Sequence, residues 1–93
     1  MQVRERKPDM RFEQMNELIE TIVHFGPQKV RPLRLLWRGR PLKVRTVRGR
    51  WTTVEGQQKC YHWAVVVDGV GPCELSLDVD RMTWHIDTVA VEN

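Results

Sequence analysis

The chain has 93 residues, is 41% hydrophobic and 29% charged, and carries a net charge of +3. That length makes one domain with a thin core, burying about 60–65% of the surface that the unfolded chain exposes. No apolar run is long enough to span a bilayer, and the charged opening MQVRERKPDMRFEQ has no apolar stretch behind it, so neither a membrane span nor a signal peptide is expected and the protein reads as soluble and cytoplasmic.

In chain order, residues 1–17 are expected as a flexible or partly helical N-terminal segment and residues 18–93 as a single β domain. The run FEQMNELIETIVHF carries two periods at once. Phe12, Met15, Ile19 and Ile22 have helical spacing, whereas Ile19, Thr21, Val23 and Phe25 alternate like a strand. A short lead-in followed by a strand to Phe25 fits both, and Gly26-Pro27 ends it.

A hairpin comes next. A type II′ turn at Gly39-Arg40 sets Trp37 opposite Leu42, Leu35 opposite Val44 and Leu33 opposite Thr46, all on the core side. Arg34, Leu36, Arg38, Lys43 and Arg45 take the other side. Val47 and Trp51 fall out of phase with Val44, which predicts a bulge near Arg48-Gly49.

Two further hairpins follow, KCYHWAVVV to CELSLDV and then to TWHIDTVAV, with turns at Asp68–Pro72 and Asp80–Met82. The expected fold is all-β: an antiparallel meander of five or six strands forming a small, strongly twisted half-open barrel, with a short N-terminal lead-in. Val67 is expected opposite Cys73, and Val79 opposite Trp84. Cys60 and Cys73 then lie too far apart along the ladder for a disulfide.

The charge is unevenly placed. Lys29–Arg50 contains nine Lys or Arg and no Asp or Glu, while residues 51–93 hold two basic residues against seven acidic ones. The candidate nucleic-acid contacts are Arg34, Arg38, Arg40, Lys43, Arg45, Arg48 and Arg50, since phosphate contacts dominate non-specific affinity for nucleic acids. Against this stands neutralisation by Glu74, Asp78 and Asp87 on neighbouring strands. Trp37, Trp63 and Trp84 fall on the core face, and Trp51, near the bulge, is the open tryptophan. The same register sets His62, Asp78 and His85 side by side, a set that can bind a metal or do acid–base work. No catalytic nucleophile is marked. Leu36 and Val66 on the polar face fit a protein-contact patch.

Arg31-Pro32, Trp37-Arg38-Gly39-Arg40, Val44, Val47, Trp51, Tyr61, Trp84 and Ile86 together resemble a family of small bacterial domains of unknown function. A similar domain closes the C-terminal end of ImuB-type proteins, which resemble Y-family DNA polymerases that have lost catalysis and act as adaptors in mutagenic repair. The resemblance covers about residues 19–90. It departs from the family pattern at Leu42, where the family carries an aromatic, and after Trp51, where a Trp-Trp pair is missing. It implies no catalytic residue. The expected function is therefore a non-enzymatic accessory binding module without a cofactor, contacting DNA or RNA backbone or a DNA-repair protein through the basic hairpin. The alternative is a protein-interaction or homodimerisation domain that binds no nucleic acid. No membrane partner is expected.

Overall fold

The computed structural model describes residues 10–92. They form six antiparallel strands in sequence order: β1 (Met10–Phe25), β2 (Val30–Trp37), β3 (Arg40–Glu55), β4 (Gln58–Val67), β5 (Gly71–Asp78) and β6 (Thr83–Glu92). The meander closes into a barrel because β1 pairs with both β2 and β6. The expected all-β meander is present, and the half-open edge is replaced by this closure. Residues 1–9, the first part of the expected lead-in, lie outside the described residues. Residues 10–17 are strand. The strand period prevails there because β6 supplies a partner for Met10–Ile19, which a helix would forgo.

The two longest strands, β1 and β3, have 16 residues each and change partner midway. In β1, Met10–Ile19 pairs with β6 and Glu20–Phe25 with β2. In β3, Arg40–Lys43 pairs with β2 and Val44–Glu55 with β4. Strands that pass between two sheets in this way turn the corners of a barrel, and bulges let them bend there. On β1 the bulge falls at Met15-Asn16, with Asn16 at φ 52, a left-handed conformation that Asn tolerates. On β3 two extra residues, Arg45 and Arg48, stand unpaired in the ladder with β4. The second is the bulge expected near Arg48-Gly49.

The first hairpin turns one residue earlier than expected. Trp37 pairs with Arg40 and Leu35 with Leu42, so the turn residues are Arg38 (φ 53) and Gly39 (φ 77). Positive φ at both central positions is the type I′ requirement. Arginine is a poor residue for it. Here the side chain is held from outside the turn: Arg38 Nε donates to Glu17 Oε1 at 3.0 Å, and its guanidinium lies 4.8 Å over the Trp37 ring.

Partners across the later hairpins also differ by two residues from expectation. Val65, not Val67, faces Cys73, and Leu77, not Val79, faces Trp84. An offset of two preserves which face each side chain takes. The core is therefore largely the expected set, with Leu35, Leu42, Val44, Trp63, Val65, Val67, Cys73, Leu75, Leu77 and Ile86 buried. Leu33 and Thr46 are the exceptions. Thr46 follows the Arg45 bulge, pairs with Val66 and is exposed. Leu33 is the extra residue of a bulge against Ile22-Val23, so it turns outward and Pro32 is buried instead. A further bulge at Asp87 brings Ile86 and Val89 both into the core. Cys60 faces Asp78 and Cys73 faces Val65, five residues along β4, or about 17 Å, and both thiols are free. No helix among the described residues is long and apolar enough to cross a membrane.

Candidate nucleic-acid interface

The basic hairpin is zipped only at its tip. The β2–β3 ladder has four pairs, from Trp37–Arg40 to Arg34–Lys43. Beyond Arg34–Lys43 the strands part: β2 stays with β1, and β3 turns to β4. Arg34 and Lys43, like charges directly opposite each other, stand at this fork, where such a pair disfavours continued pairing. The opening is a groove of about 460 Å³ lined by Lys29, Val30 and Arg31 on one side and Arg45–Arg50 on the other. Arg45 and Arg48, the two bulge residues of β3, are both among the residues that line it.

Trp63 anchors the neighbouring floor. It extends inward from β4, is 3% exposed, and its indole Nε1 donates to the Val30 carbonyl at 3.0 Å. This bond ties the free part of β2 to β4 across the gap that β3 leaves. The groove is therefore a feature of the packed barrel rather than a frayed hairpin.

Of the nine cations between Lys29 and Arg50, Arg38 and Arg45 have carboxylate partners among the described residues. Arg38 meets Glu17, and Arg45 Nε meets Asp68 Oδ1 at 2.9 Å, with both side chains well exposed. The other seven have none among the described residues. Neither partner is one of the neutralising acids anticipated. Asp78 instead accepts from the backbone N–H groups of Asp80 and Arg81 and from Gln58 Nε2, which holds the β5–β6 turn and lowers its carboxyl pKa. Asp87 accepts from Ser76 Oγ at 3.0 Å. Glu17 is the most perturbed carboxyl near the hairpin. Hydrogen bonds from Arg38 and from Trp37 Nε1 bring its pKa down to about 2.

The structure divides the candidate contacts into groups. Arg45, Arg48 and Arg50 line the groove, Arg34 and Lys43 flank its closed end, and Arg38 and Arg40 sit at the hairpin tip. Lys29 and Arg31 belong to the groove as well. The sequence offered no signal for them beyond the charge run, because nothing in an alternating pattern shows where a ladder stops.

His62, Asp78 and His85 do not meet. The two-residue offset puts Ser76 between the histidines and moves Asp78 level with Cys60 and Thr83. No group of three metal-ligating side chains occurs among the described residues. A different constellation forms around His62. Its Nε2 lies 2.7 Å from Thr53 Oγ1 and its Nδ1 3.9 Å from Asp87 Oδ2, with Trp51 stacked on the ring at 5.2 Å between centroids. A hydroxyl, an imidazole and a carboxylate in this order resemble a nucleophile–base–orienter set. The 3.9 Å gap is too long for the orienting hydrogen bond, so the arrangement holds the His62 ring more than it activates Thr53. Trp51 is the open tryptophan, at 40% exposure; Trp37 and Trp84 are half-buried. No protein-family model, curated protein or solved structure matches this chain.

Proposed function

We propose that the protein is a non-enzymatic accessory module that binds nucleic-acid backbone in the groove between β2 and β3, acting in the cytoplasm. The observation that carries this reading is the convergence of Lys29, Arg31, Arg45, Arg48 and Arg50 on one groove, four of them without a carboxylate partner among the described residues. Arg45 remains available too, since an exposed ion pair contributes only about 0–1 kcal/mol and exchanges readily for a phosphate. A DNA-repair context, which the family resemblance suggests, would bring such a module to its polymer through a partner protein.

The test is binding to nucleic acid as a function of salt. Affinity should fall steeply as salt rises, with a slope of about −0.9 per neutralised phosphate on duplex and about −0.7 on single strands. Replacing Arg31 and Arg48 together by alanine should weaken binding to every sequence and flatten that slope, because backbone contacts carry no base information. Absence of binding at low salt to any DNA or RNA would end this reading.

A second reading, protein interaction or homodimerisation, draws on a separate observation. Leu18 and Leu36, outward on β1 and β2, meet Met82 around a shallow depression of about 550 Å³, with Ile22 exposed nearby. Concentration-dependent mass by light scattering, abolished by Leu18→Glu, would favour it.

A further inference from the structure

The cationic groove continues past Arg50. A second depression of about 590 Å³ shares Lys29, Val30 and Arg50 with the first and is walled further along by Trp51, Tyr61 and His62. The track of charge therefore runs directly into aromatic surface. Trp51 lies 6° from parallel with the His62 imidazole. Thr53 Oγ1 holds that imidazole at Nε2, 2.7 Å away. The exposed indole is thus backed by a fixed ring and does not fold into the core as Trp63 does.

We propose that the groove takes a single-stranded nucleic acid, its phosphates over Arg31, Arg48 and Arg50 and one base stacked on Trp51. This rests on the backbone-binding reading above and names its substrate class. Three features favour a single strand over a duplex. The cations line the two walls of one cleft between parted β-strands, and so follow a single track, as one flexible backbone would need. The aromatic surface needs a base with a free face, and unpaired strands supply one. A positive track leading to a stacking platform is also how sequence-tolerant single-strand binders combine charge and base contact. An extended acidic peptide would satisfy the cations and could pair with the free edge of β3, yet it gives no role to the ring-backed Trp51.

The experiment compares short labelled oligothymidylate, oligouridylate, a mixed-sequence duplex of equal length and a glutamate-rich peptide, by fluorescence anisotropy at low salt. The proposal expects both single strands, or one of them, to bind more tightly than the duplex. Trp51→Ala should lose about 5- to 150-fold in single-strand affinity, the usual range for one stacked base, and leave duplex binding unchanged. Trp51→Phe should keep most of the affinity, which separates stacking from a general disturbance of β3. Single-strand addition should also quench tryptophan emission in the native chain and much less in Trp51→Phe. If duplex binds as tightly as single strand and Trp51→Ala changes neither, the single-strand inference fails while backbone binding stands. If only the glutamate-rich peptide binds, or nothing does, both readings fall.

Discussion

The β2–β3 corner and the β4–β5–β6 wall are built on opposite terms. In the wall, neighbouring strands pair along their length, and the cover is so complete that even Ser76 and Asp78, on the outer face of β5, are buried. At the corner, four pairs hold two strands that then separate, and the side chains around the gap are cationic. Acidic residues gather in the second half of the chain and basic ones in the hairpin. Cohesion and charge are thus assigned to different strands. Changes in the wall should act on stability, and changes at the corner should act on binding.

The largest effect should come from Trp63, the residue that joins the two regions. Trp63→Ala removes a buried indole and the bond to Val30, and should cost about 3–5 kcal/mol in denaturant unfolding. By contrast Arg31→Ala and Arg48→Ala, exposed and without ion-pair partners among the described residues, should shift stability by less than about 0.5 kcal/mol each. If the arginine variants destabilise as much as the tryptophan variant, the division between the regions is false.

Acid should separate the regions next. The Glu17 carboxyl, bonded by Arg38 and Trp37, has its pKa lowered from 4.5 to about 2. A carboxyl with a depressed folded-state pKa stabilises the fold above its unfolded value, and that contribution disappears as pH falls through the folded one. The corner should therefore lose stability between about pH 4.5 and 2. Glu17→Gln should remove this dependence and be less stable than the native chain at neutral pH. Acid titrations of both, followed by circular dichroism, make the comparison. An unchanged acid transition in Glu17→Gln would mean that the clamp does not hold the hairpin.

The smallest effect is chemical. Burial pushes the Cys73 thiol up to about 12, and burial followed by nearby carboxylates raises Cys60 as well. In the native protein at pH 8 Cys60 should react slowly with an aromatic disulfide reagent and Cys73 not at all, while both react in denaturant. Rapid labelling of Cys73 in the native state would show that the wall opens more readily than its packing implies.

Much of the wall was legible in the sequence and much of the corner was not. CELSLDV alternates without interruption, so its inward set could be assigned even with the register two residues off. Val47 and Trp51 were visibly out of phase with Val44, which located the second β3 bulge and left Trp51 outside. The bulge at Leu33 had no such signature, since Leu is at home on either face. In β1 the two residues of the Asn16 bulge restored a helix-like spacing to Phe12, Met15 and Ile19, and the pairing with β6 that decides the matter lies at the far end of the chain. The turn at Arg38-Gly39 depends on Glu17, twenty-one positions before Arg38, which no local turn preference reports. The histidine cluster failed for a narrower reason: the two-residue offset keeps faces but exchanges neighbours, so Ser76 stands where Asp78 was expected.

Closure of the barrel has a consequence for how the chain folds. Five ladders join strands adjacent in sequence and can form from short loops. The sixth joins Ile19 to Trp84 and Met10 to Glu92, across most of the chain. Loop-closure entropy penalises such a contact until the intervening hairpins have shortened the path. The β1–β6 seam should therefore form after the folding barrier. Ile19→Val should speed unfolding and leave the folding rate nearly unchanged, whereas Leu75→Ala at the centre of the wall should slow folding itself. Chevron plots of the two variants would distinguish a barrel that closes last from one that is built around its own seam.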